Sequence, residues 1–156
     1  MQLRLARPED RPFLVEMARL ASTIEDRPLP SADAPDVIAL MPGPDAAFIA
    51  TGEAGRSVGA SWWHLHEPPL LRDPAGEPLP ELVMAVVEGE RGKGTGTALI
   101  DALADHAADR FSVLTLNVHI RSPAARLYTR TGFRVAGAGR GWFGVAMSRP
   151  LRGRPH

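Results

Sequence analysis

Arg91, Gly92, Lys93, Gly94 and Gly96 are the residues whose types and spacing speak most directly of chemistry. They follow Leu82 to Val87, an apolar, β-branched run short enough to be a buried strand. They precede Leu99, Ile100, Leu103 and Ala107, which recur at helical spacing. Strand, glycine loop and helix together present unpaired backbone N–H groups to a phosphate. The helix N-terminus supplies the dipole, and glycines let oxygens approach with no Cβ in the way. Arg91 and Lys93 add full charges on the same loop. The segment from Arg91 through Thr95 to Gly96 therefore reads as a pyrophosphate cradle.

Two common phosphate loops fail on spacing. A P-loop requires glycine, four residues, then Gly-Lys-Ser/Thr. Here Val87 stands at the glycine position, and Gly94 follows Lys93. A dinucleotide fingerprint requires a third glycine two residues beyond the second. Counting from either glycine pair, that position is Thr97 or Leu99. The acid expected about twenty residues on is also missing, because the next strand ends around Leu116-Asn117-Val118.

Arg91-x-x-Gly94-x-Gly96 after a strand ending in Val86 resembles the coenzyme A loop of the GNAT superfamily of N-acetyltransferases. Downstream, Ser122-Pro123-Ala124-Ala125-Arg126-Leu127-Tyr128-Thr129-Arg130-Thr131-Gly132-Phe133 resembles the same family's second motif. There Asn-x-x-Ala precedes a Leu-Tyr pair and a closing Gly-Phe. Ser122 stands where the family most often has asparagine. The resemblance implies an α/β (α+β) GNAT fold: a mixed, mostly antiparallel, twisted sheet of six to seven strands flanked by about four helices, with splayed central strands. It implies acetyl-CoA as cosubstrate and direct attack by an amine in a ternary complex. Val86 and Val87 would meet the pantetheine arm through main-chain groups, Arg91 to Gly96 would hold the pyrophosphate, and Ser122 would stand at the pantetheine contact.

Acetyl transfer to an amine sets three demands. The amine must lose a proton, the thioester oxygen needs hydrogen-bond donors, and the departing thiolate benefits from a proton. Tyr128, the only tyrosine, is by resemblance the residue that protonates the sulfur and is part of the coenzyme site. Glu81 begins the strand that leads to the loop and is the first choice as general base. His64, His66 and His119 compete for that role, and the resemblance also allows no dedicated base, with the minor neutral form of the amine bound instead. Two other readings stay open, a non-catalytic acyl-CoA-binding regulator and a protein-interaction module in which the loop is only structural.

These residues need a domain to hold them. A chain of 156 residues forms one domain, expected over 1–150 with a tail from 151, and buries about 70% of its unfolded surface. Formal charge is zero, so nothing draws the chain to nucleic acid or an anionic membrane. There is no cysteine, which excludes a disulfide, a thiolate metal site and a cysteine nucleophile; no metal is expected. No apolar run of transmembrane length and no leader pattern occurs, so a cytoplasmic location is expected. The expected partner is a small-molecule or peptide amine, and nothing speaks against a homodimer.

In chain order the pattern gives a strand at Leu3 to Ala6, then a helix with Asp10 as N-cap and Phe13, Leu14, Met17 and Leu20 on one face. A short helix follows near Asp36 to Met41. Ala47 to Thr51 and Ser57 to Leu65 flank a hairpin turn. A helix over 95–109, a strand over 111–118, a Ser122-capped helix stopped by Gly132, and strands at 133–135 and 142–147 complete it. The tail from Arg149 is expected to fray. Glu25, Asp26, Asp33 and Asp36 either attract a cationic acceptor or simply solvate a surface linker. Of the adjacent Trp62 and Trp63, at most one would line an acceptor pocket, since they point to opposite faces.

Overall fold

The computed structural model describes residues 1–22, 28–43 and 47–152. Its strands are β1 (Gln2–Leu5), β2 (Ala47–Thr51), β3 (Ser57–His64), β4 (Glu81–Val86), β5 (Val113–His119), β6 (Arg134–Ala138) and β7 (Gly144–Pro150). Its helices are α1 (Arg11–Ala21), α2 (Pro35–Ala39), α3 (Thr95–Ala107) and α4 (Ala124–Arg130). The strands form a mixed sheet in the order β1-β2-β3-β4-β5-β7-β6. β1 with β2, β2 with β3, β5 with β7 and β6 with β7 are antiparallel, while β4 and β5 are parallel. The parallel ladder is registered at Glu81 opposite Thr115. So short a ladder is what splayed central strands leave.

The chain divides into two compact units, Met1–His64 with Val83–Leu103, and Leu65–Leu82 with Ala104–His156. In the first, α1 buries Leu14, Met17 and Ala18 against Ile49, Ala60, Trp62 and Val83, with Phe13 and Leu20 packed at the margin. The apolar stripe read from sequence is therefore the packed face. β3 alternates as a strand should: Ala60 and Trp62 join that cluster, while Ser61 turns the other way and donates to Leu99 O of α3 at 2.9 Å. Trp62 Nε1 donates to Leu40 O at 2.6 Å, so its one polar group is satisfied. Both Trp62 and Trp63 are buried.

In the second unit, β5 lies beside β7 over its whole length, from Val113 opposite Pro150 to His119 opposite Gly144. Leu114, Leu116 and Phe133 are fully buried there. Arg149, expected in a frayed tail, instead pairs with Leu114 inside β7 and donates to Thr131 O at 2.8 Å. Leu151 N–H continues the pairing to Ser112 O at 2.8 Å. The two last strands lie about one to three residues later than their patterns suggested. β6 is exposed along its full length and so carries no inside–outside alternation to read.

Two local expectations are corrected. Asp10 precedes α1 but makes no capping bond to it. Its carboxylate turns back, accepting from Arg7 N–H at 2.7 Å and from both Nη atoms of Arg4 at 2.7 and 2.8 Å. The Arg4 pair is the first cause holding the Asp10 carboxyl below its ordinary value, against the opposing effect of burial. The strand expected over Ser57 to Leu65 ends at His64, and His66 lies in the loop that follows.

Candidate active site

The glycine loop has the geometry its composition suggested. β4 ends at Val86 and α3 starts at Thr95. Gly92 and Gly94 have φ of +79° and +82°, backbone that only glycine adopts without strain. Nothing lies within 4 Å of where a Cβ would stand on either residue, so the loop is uncrowded at both positions. The first intrahelical bond runs from Ala98 N–H to Gly94 O at 3.1 Å. The amides of Thr95, Gly96 and Thr97 therefore precede any i−4 acceptor within α3, the condition for anion binding at a helix start. These features fit a pyrophosphate.

The charges around the loop are arranged more closely than the sequence suggested. Glu90 lies between two cations, Lys93 Nζ at 3.2 Å and Arg56 Nη2 at 3.3 Å. Such exposed pairs are worth about 0–1 kcal/mol, so a pyrophosphate would draw Lys93 away at little cost. Arg91 Nε donates to Val86 O at 3.3 Å. Val87 N–H donates to Val58 O at 2.9 Å, and Val87 O accepts from Glu90 N–H at 3.1 Å. Both main-chain groups of Val87 thus already have partners within the protein, and its carbonyl keeps a second lone pair for another donor.

The second motif builds α4. Ser122 Oγ accepts from Ala124 N–H at 3.2 Å, Pro123 precedes the first helical residue, and Gly132 at φ +98° ends the helix. Tyr128 is buried and its ring meets Phe133 edge-on, with centroids 5.9 Å apart. Burial pushes the phenol up to about 12. At neutral pH it is fully protonated, as a proton donor must be. A solvent-exposed thiolate, at about 8.5, is too weak a base to remove that proton outright. A thiolate sharing such burial gains basicity, and a protonated phenol can stabilise it first by hydrogen bonding.

Glu81 is buried, with a side chain only 3% exposed. Arg140 grips it with a bidentate fork: Nη1 donates to Oε1, and Nη2 to Oε2 at 2.8 Å. Leu70 N–H donates to Oε2 at 3.3 Å. A ring nitrogen of His66 lies within 4.8 Å of a Glu81 carboxylate oxygen. His64 is buried at the end of β3. His119 Nδ1 accepts from Arg121 N–H at 3.1 Å. Arg140 carried no sequence signal: it sits in the turn between β6 and β7, and its partner is fifty-nine residues away. Of the acids expected to attract a cationic acceptor, Asp33 and Asp36 are exposed, and Glu25 and Asp26 lie outside the described residues.

Comparison with known proteins agrees with this geometry. Residues 45–135 match the family model described as an acetyltransferase (GNAT) domain. No protein with a curated description matches in sequence. Among solved structures, a GCN5-related N-acetyltransferase from Kribbella flavida is 24% identical over 96% of this chain and 97% of its own, with a TM-score of 0.66. A ribosomal-protein-alanine N-acetyltransferase from Brucella melitensis is 22% identical, covering 97% and 100%, at 0.70. A phosphinothricin acetyltransferase from Sinorhizobium meliloti, crystallised with acetyl-CoA, is 23% identical, covering 96% and 88%, at 0.68. At these identities the structures speak to the fold, whereas the family match spans more than half the chain. The chain belongs to the GNAT acetyltransferase family.

Proposed function

We propose that this enzyme moves the acetyl group to a primary amine of a small molecule or peptide, by direct attack within a ternary complex. The observation that carries the reading is the loop from Arg91 to Gly96, open, glycine-lined and leading into the start of α3. Arg91, Gly92, Lys93, Gly94, Thr95 and Gly96 hold the pyrophosphate. Val86 and Val87 meet the pantetheine arm through main-chain groups, and Ser122 stands at its edge. When bound, the coenzyme supplies the activated acyl group as a thioester.

Glu81 takes the proton of the amine, directly or through water, and Tyr128 protonates the departing sulfur with its hydroxyl. The absence of cysteine from the chain supports direct transfer over a cysteine-bound intermediate. The relatives named for a ribosomal-protein alanine and for phosphinothricin span a peptide and a small molecule, and the proposed acceptor class covers both. No helix among the described residues is long and apolar enough to cross a membrane, and the reading includes a cytoplasmic location, a single catalytic domain over 1–150, and neither metal nor nucleic acid. The edge strand β6 offers main-chain groups to a second copy of the chain, which sedimentation velocity would detect.

Thiol release from acetyl-CoA, followed with benzylamine, spermidine, phosphinothricin and an alanine-ended peptide, tests the proposal. Turnover with at least one amine supports it. Coenzyme binding without turnover on any of them would move the non-catalytic regulator to first place.

A further inference from the structure

The Arg140–Glu81 pair is a bidentate ion pair on a buried carboxylate. A buried carboxylate is tolerated only when paired and hydrogen-bonded, and Arg140 supplies both conditions through two parallel bonds. The fork is itself anchored. Arg140 Nη2 also donates to Pro68 O at 2.9 Å, and Arg140 N–H donates to Asn117 Oδ1 of β5 at 2.8 Å. Gly139 makes that last bond feasible, because a Cβ there would run into Asn117 Oδ1. The β6–β7 turn, the loop after β3 and the first residue of β4 are thereby fixed to one another through a single side chain.

The fork does not use the two carboxylate oxygens equally. Oε2 accepts from Arg140 Nη2 and from Leu70 N–H. Oε1 accepts from Arg140 Nη1 and has one hydrogen-bond donor among the described residues where Oε2 has two. We propose that Arg140 is a positioning residue for acetyl transfer, locking the Glu81 carboxylate in one orientation with Oε1 presented to the acceptor amine. This rests on the reading of Glu81 as the base. In the step itself, one N–H bond of the ammonium breaks and an O–H bond forms at Oε1. The freed amine lone pair then attacks the thioester carbon and the C–S bond breaks; the departing sulfur takes the Tyr128 hydroxyl proton, which the second N–H proton of the new amide replaces, and the first proton passes from Oε1 to solvent. Arg140 takes no proton. Its guanidinium is a rigid planar fork that a lysine cannot reproduce.

The test is steady-state turnover with the best acceptor of the panel above, coenzyme affinity by calorimetry, and melting temperature, on four variants. Glu81→Gln is expected to lower kcat about a hundredfold, within the range of general-base catalysis. Arg140→Ala is expected to lower kcat at least tenfold with coenzyme affinity within twofold of wild type. Arg140→Lys should recover part of that loss. Adding Arg140→Ala to Glu81→Gln should cost nothing further, because Arg140 acts only through Glu81. Full kcat in Arg140→Ala, or an equal extra loss in the Glu81→Gln background, overturns the positioning role while leaving Glu81 as base. Wild-type kcat in Glu81→Gln overturns the base and the positioning role together. Should Arg140→Ala fail to fold, Arg140→Lys decides: it keeps the charge and loses the fork, so unchanged kcat in it overturns the proposal.

Discussion

Tyr128 does two things at the residue scale, and both follow from its burial. Its hydroxyl keeps its proton across the physiological range, because the phenol is pushed up to about 12. Tyr128→Phe is therefore expected to lower turnover about a hundredfold with acetyl-CoA affinity unchanged, measured as thiol release alongside calorimetric binding. As the chain's only tyrosine, it can be followed by phenolate absorbance without interference. The expected titration midpoint lies near 12 rather than near 10. Stability follows with a definite sign. The folded protein holds this proton more tightly than the unfolded chain, so the contribution is complete below pH 10 and is lost as pH rises towards 12. Urea denaturation at pH 8 and pH 11 checks it, and equal midpoints would contradict it.

Asp10 shows the opposite sign. Arg4 holds its carboxyl below the ordinary value, so its contribution is present above the unfolded value of 3.8 and is lost as pH falls through the folded one. Asp10→Asn should cost about 2 kcal/mol at pH 7, and less at pH 3. Denaturant midpoints of both proteins at both pH values measure it.

At the scale of elements, the glycine loop carries the sharpest prediction. Gly94 needs φ of +82°, where a β-branched residue is strained by about 1–2 kcal/mol. Its Cβ would also project into space that is open in the structure and that the proposed pyrophosphate site needs. Gly94→Val should abolish coenzyme binding with only a modest loss of melting temperature. The same loop shows what was legible beforehand. Loop, α3 and the Ser122-to-Gly132 helix are written in local signals: glycine placement, helical spacing of Leu99, Ile100 and Leu103, a serine cap. The misread features have non-local causes. Asp10 chose Arg4 over the helix behind it because a bidentate guanidinium outcompetes one amide. β6 is exposed on every residue, so no hydrophobic period marks it. Arg140 meets Glu81 only because the topology brings the β6–β7 turn to the start of β4.

For the whole molecule, family membership and the loop geometry make one claim, that the folded chain binds acetyl-CoA and its unfolded form does not. Ligand at a hundred times its dissociation constant then adds about 2.7 kcal/mol to stability, visible as a rise in melting temperature. The most direct measurement is a calorimetric titration of acetyl-CoA into the wild-type protein and into Gly94→Val. The account predicts one-to-one binding to the wild type and none to the variant. Equal binding by a folded Gly94→Val protein would contradict the assignment of the coenzyme to this loop.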